Sequence, residues 1–66
     1  MTNFIQNLVA QFDKEIASPF GSLGHHTAYQ RDGQWHISYV EAEGTSQEDR
    51  YDVATVTMDG QVTRLA

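Results

Sequence analysis

The side chains best placed for chemistry are carboxylates. Glu41, Glu43, Glu48, Asp49 and Asp52 fall within one twelve-residue stretch that holds a single cation, Arg50. That stretch therefore carries a net −4 of the chain's formal −5. Carboxylates crowded in this way pair with Arg and Lys side chains. They also create a local negative potential that draws a basic partner.

The histidines invite a metal reading that their placement does not support. His25 and His26 are adjacent, and neighbours on a strand point to opposite faces. His25 and His36 share a face but lie two pairs apart along the ladder. No cysteine is present, and no nearby carboxylate completes a set of three or four ligands. Half-exposed strand histidines are the simpler reading. Ser18, Ser22, Ser38 and Ser46 show no nucleophile elbow. Asp49 with His36 can be written as a dyad, but nothing in the spacing requires it. Gly21-Ser22-Leu23-Gly24 is too short for a phosphate loop and lacks its lysine. Trp35, Tyr29, Tyr39 and Tyr51 resemble a base-stacking set, yet the chain has only four Lys and Arg in all, too few for that use. The sequence thus predicts a non-enzymatic protein with no metal and no cofactor.

Size and composition set the frame for these residues. A chain of 66 residues makes one small domain with one core. With no cysteine there is no disulfide framework, which suits a reducing cytoplasm. The N-terminus has no signal-peptide pattern, and no apolar run approaches a membrane span. The negative charge argues against direct binding to nucleic acid or anionic lipid.

Phe4, Ile5, Leu8, Val9, Phe12 and Ile16 recur at helical spacing, with Gln6, Asn7, Gln11, Asp13 and Lys14 on the other side. This predicts an amphipathic helix with one apolar stripe, capped at Thr2 or Asn3 and ended by Pro19. A loop over Pro19–Gly24 follows. Asp32-Gly33 and Asp59-Gly60 each predict a two-residue type I′ hairpin turn. The first hairpin joins His25–Arg31 to Gln34–Ala42, and the second joins Tyr51–Met58 to Gln61–Leu65. The residues from Glu43 to Arg50 link them. The fold class is α+β, an N-terminal helix on one face of a four-stranded antiparallel meander, α-β-β-β-β over residues 1–66.

Register then assigns faces. His26, Ala28, Trp35, Ile37 and Tyr39 form the helix side. The far side is expected to expose Tyr29, Val40 and Tyr51, a moderately apolar patch suited to a homodimer or partner interface. In a meander the helix must end near the start of the first hairpin. That places Asp13 and Glu15 beside the acidic stretch, so the net charge gathers at one pole. Glu41 and Glu43, on one face of an extended segment, would stand about 6.6 Å apart. Phosphates two steps apart along one DNA strand advance about 6.8 Å, so a row of acids imitates a row of phosphates.

Small size, lack of cysteine, acidity and an idealised α+β pattern together resemble the small inhibitor proteins of phages and mobile elements, anti-CRISPR and DNA-mimic inhibitors among them. The layout is also similar to small peptidase-propeptide-like modules. The first resemblance implies stoichiometric binding to a basic, nucleic-acid-handling protein surface. The acidic pole of Glu41, Glu43, Glu48, Asp49, Asp52, Asp13 and Glu15 is then the expected contact. The alternative is a dimerisation module using Tyr29, Val40 and Tyr51.

Overall fold

The apolar stripe predicted from spacing is buried against a sheet. In the computed structural model, which describes residues 2–16 and 24–65, helix α1 runs Thr2–Ile16. Strands β1 (Gly24–Arg31), β2 (Gln34–Glu41), β3 (Asp49–Val56) and β4 (Val62–Arg64) follow. They form one antiparallel sheet in the order β1-β2-β3-β4. Ile5 and Phe12 of the helix pack on Ile37, Ala54 and Val56 of the two central strands. Burying each such side chain is worth about 1.5–3 kcal/mol. The helix thus supplies the cover that a one-faced sheet requires. Among the described residues, no helix is long and apolar enough to cross a membrane.

Asn3 already lies inside the helix, so it does not cap it as predicted. The stop at Pro19 and most of the loop after it lie outside the described residues, while Gly24 belongs to β1. A β-carbon on Gly24 would collide with the Val40 carbonyl oxygen and come within 2.8 Å of the Tyr39 ring. Only glycine lets β1 start this close to β2.

The first hairpin follows its sequence. Asp32 and Gly33 take φ of 54° and 77°, and Arg31 pairs with Gln34, as a type I′ turn dictates. The second departs from the prediction. The Gly60 N–H donates to the Thr57 carbonyl and the Thr57 N–H to the Gln61 carbonyl. Gly60 has φ of 96°, while Asp59 is not in the left-handed region. This is a three-residue loop, a tight turn closed by a left-handed glycine. The Thr57 hydroxyl bonds to the Asp59 carboxylate within it. One extra loop residue shifts the register by one, which turns every β4 side chain to the opposite face. Val62 now opposes Val56 and Arg64 opposes Ala54, so Arg64 joins the helix side. Its guanidinium lies 4.4 Å from the centre of the Phe12 ring and forks onto Glu15 at 2.9 and 2.8 Å.

A second irregularity lies between β2 and β3. Ile37 opposes Ala54, but Ser38 opposes Asp52, so Val53 is an extra residue in the ladder. Such a bulge re-aims the side chains beyond it. Asp52 turns to the far face beside Ser38. Tyr51 turns to the helix side, opposite Tyr39.

Candidate functional site

The seven carboxylates predicted to form one pole separate into two groups with different surroundings. Four of them pair with side chains of other residues, while Glu48 and Asp49 accept only from backbone N–H groups among the described bonds, Gly44 at 3.0 Å and Arg50 at 2.9 Å. Asp13 bonds through Oδ1 to the backbone N–H of His26 at 2.7 Å and to His26 Nδ1 at 2.8 Å. An ionised carboxylate only accepts, so that ring nitrogen carries the proton. Glu15 is clamped by Arg64, whose hydrogen bond holds its carboxyl below the usual range. Glu43 lies 3.5 Å from His25 Nε2 and 3.9 Å from Arg50.

Asp52 is the most heavily engaged of the four. Its oxygens accept from the Ser38 hydroxyl at 2.7 Å, from the Tyr29 hydroxyl at 2.9 and 3.0 Å, and from His36 Nδ1 at 3.2 Å. The Tyr29 and His36 rings stack at 5.0 Å. The Ser38 hydrogen bond, reinforced by those from Tyr29 and His36, holds the Asp52 carboxyl below its ordinary value. The bond to Asp52 correspondingly pushes the Tyr29 hydroxyl up. The dyad considered for His36 is therefore formed by Asp52, not Asp49. Ser38 donates to the carboxylate and is only 1% exposed.

Three carboxylates remain at the loop end. Glu41 and Asp49 sit directly opposite one another across β2 and β3. That spacing puts their β-carbons about 4.5–5.5 Å apart, where like charges destabilise a sheet. Glu48 lies in the connecting loop, which is organised by its own bonds. The Thr45 N–H and hydroxyl both donate to the Ala42 carbonyl, and the Glu48 N–H donates to the Thr45 carbonyl. The Glu48 carboxylate accepts from the Gly44 N–H at 3.0 Å. Ala42 has φ of 51°, so the chain leaves the strand there. Glu41 and Glu43 are consequently not successive acids on one extended face, and the expected phosphate-like row is interrupted.

The preceding pair on the same face as Glu41 and Asp49 is Tyr39 opposite Tyr51. Their rings are 5.8 Å apart, and Tyr51 is 51% exposed. Tyr39 is raised above its ordinary value first by burial, then by the nearby Glu41, Tyr51 and Asp13. A pair of phenol rings thus adjoins a pair of acids. This arrangement can stack a guanidinium or ammonium on the tyrosines and fork it to the carboxylates.

The alternative interface is not assembled. Val40 is fully buried, not exposed. It pairs with His25 on one side and Arg50 on the other, and Glu43 bridges those two side chains above it. Tyr29 is tied to Asp52 on the far face, whereas the bulge sends Tyr51 to the helix side. Among the described residues, no group of three or more His, Cys, Asp or Glu is arranged to hold a metal ion. No family model matches the chain, and no curated protein or solved structure matches it.

Proposed function

We propose that this protein acts by binding, without catalysis, and that its acidic loop end docks on a basic, nucleic-acid-binding surface of a partner protein. The contact comprises Glu41, Asp49 and Glu48 with Tyr39 and Tyr51 beside them. The observation that carries this reading is the direct apposition of Glu41 and Asp49. Glu15 and Asp52 each have a cation or several donors, while this pair has no cation between its members. A partner's Arg or Lys would relieve that repulsion and gain a charge-assisted bond. Nucleic acid and this protein would then compete for the same surface, as a DNA-mimic or anti-CRISPR type of inhibitor does.

The test is capture from host lysate with the wild type and with a Glu48→Lys/Asp49→Lys variant, at low and then moderate salt. The expected result is a nucleic-acid-binding protein retained by the wild type, released by salt and by added duplex DNA, and missed by the variant. Equal capture by both proteins, indifferent to salt, would sink the reading.

A further inference from the structure

We propose a second binding site, on the free edge of β1, that accepts an extended peptide strand carrying a basic residue. The sheet order leaves β1 and β4 as edges. β4 spans three residues and β1 spans eight, without proline or lysine to discourage pairing. The His26 N–H points away from β2, because Asp13 of the helix accepts it at 2.7 Å. Asp13 therefore closes one position of the edge. Strand alternation turns the N–H and C=O of Ala28 and Gln30 the same way. Nothing described closes those positions.

Beside them lies a cleft of about 360 Å³ between helix and strand, lined by Ile5, Gln6, Val9, His26, Thr27, Ala28 and Trp35; the His26 ring is already bonded to Asp13. That volume falls within the range of ligand clefts, roughly 300–1,000 Å³. The Thr27 side chain belongs to the far face, so its presence in the lining means that the cleft opens along the backbone edge. Trp35 also holds a buried indole N–H with no acceptor among the described residues, a rare condition in a folded protein. An added strand meets these features together. Its backbone pairs with Ala28 and Gln30, and an apolar side chain fills the space between Ile5 and Val9 beside Trp35.

Charge selects the occupant. Asp13 stands at one end of the open edge with its side chain 41% exposed, and no lysine or arginine lines the cleft. A strand with Lys or Arg near Asp13 is complementary. A second copy of this chain is not, since each copy carries −5 and its own Asp13 at the same place.

Trp35 is the sole tryptophan and reports on the cleft directly. The probe is a blocked peptide of alternating valine and threonine with lysine at each end, titrated against Trp35 fluorescence. We expect a saturable change, with slowed amide exchange at Ala28 and Gln30. The Ala28→Pro variant removes an outward donor and leaves the β1–β2 ladder intact. It should weaken binding about tenfold, as loss of one hydrogen bond does. A peptide N-methylated at its edge-facing amides should bind the unaltered protein at least as poorly, which covers the case in which the proline variant does not fold. No fluorescence change, or equal binding by the N-methylated peptide, would overturn the proposal. So would a concentration-dependent dimer that Ala28→Pro dissolves, because that outcome places a second copy on the edge. At about 0.5 M salt, where long-range attraction is screened, Glu48→Lys/Asp49→Lys should leave the peptide titration unchanged, which separates this site from the acidic loop end.

Discussion

Asp49 and Asp52 are three residues apart on one strand, and their surroundings are opposite. Asp52 faces Ser38, Tyr29 and His36, and every partner donates to it. Asp49 faces Glu41, which repels it. Both are acids at the same end of a small sheet. One is fixed by the fold, and the other is held against its own electrostatic preference. Carboxylate density alone therefore says little about use. What distinguishes the two regions is whether side chains supply the counter-groups: Asp52 accepts from three of them, whereas Asp49 accepts from the backbone N–H of Arg50. The Asp52 cluster is complete and stabilises the sheet. The Glu41–Asp49 pair sets two acids directly opposite one another, and on the proposed reading a partner's cation would complete it.

The largest effect that can break this comparison is on stability. Asp52→Ala removes the acceptor from the Ser38 hydroxyl, which is 1% exposed. Leaving one buried donor unpaired costs about 1–3 kcal/mol. With the other donors stranded as well, the expected loss is roughly 3 kcal/mol. Glu48→Ala, in the exposed loop, should stay within about 0.5 kcal/mol of the wild type. Urea unfolding at neutral pH measures both. Equal losses would mean that Asp52 is as dispensable as a surface acid.

Much of this arrangement was legible in the sequence, and most of the misplaced parts share one cause. The helix stripe, the Asp32-Gly33 turn and the helix-side set of His26, Ala28, Trp35 and Ile37 follow from periodicity and turn chemistry. The bulge at Val53 and the three-residue loop at Asp59-Gly60 do not. Each inserts one residue into a ladder whose period is two, so each reverses the faces beyond it. That is why Asp52 turned to the far face, why Tyr51 turned to the helix side, and why Arg64 came to Glu15. Asp-Gly fits two loop lengths, and a Val-rich strand has no residue type that marks a bulge. Burial of Val40 was missed for another reason. Val40 is flanked by His25 and Arg50 across the ladder, long-range neighbours that hydropathy along the chain does not reveal.

A smaller effect sharpens the Asp52 side of the comparison. The Ser38 bond is the largest cause of the lowered Asp52 carboxyl. A carboxyl lowered in the folded state holds fewer protons there than in the unfolded chain. Its stabilisation is thus fully present above the ordinary value of 3.8 and is lost as pH falls through the lowered one. Ser38→Ala should cost about 1.5 kcal/mol at neutral pH. The gap between variant and wild type should then narrow as the pH drops below about 4. Urea unfolding across that range tests it. A gap that stays constant with pH would assign the hydroxyl to packing alone.

The smallest effect bears on the other region and is the most discriminating. Asp49→Lys turns a repulsive cross-strand pair with Glu41 into an attractive one. The expected gain is a few tenths of a kcal/mol, largest at low salt and reduced at about 0.5 M salt by screening. The wild type should respond to salt in the opposite sense, because screening relieves its repulsion. If the acid pair exists to meet a partner, the same substitution must also weaken capture of that partner, so that stability rises while binding falls. A variant that is more stable and binds as well as the wild type would show that the pair is solvated surface, and the distinction drawn between Asp49 and Asp52 would then be structural only.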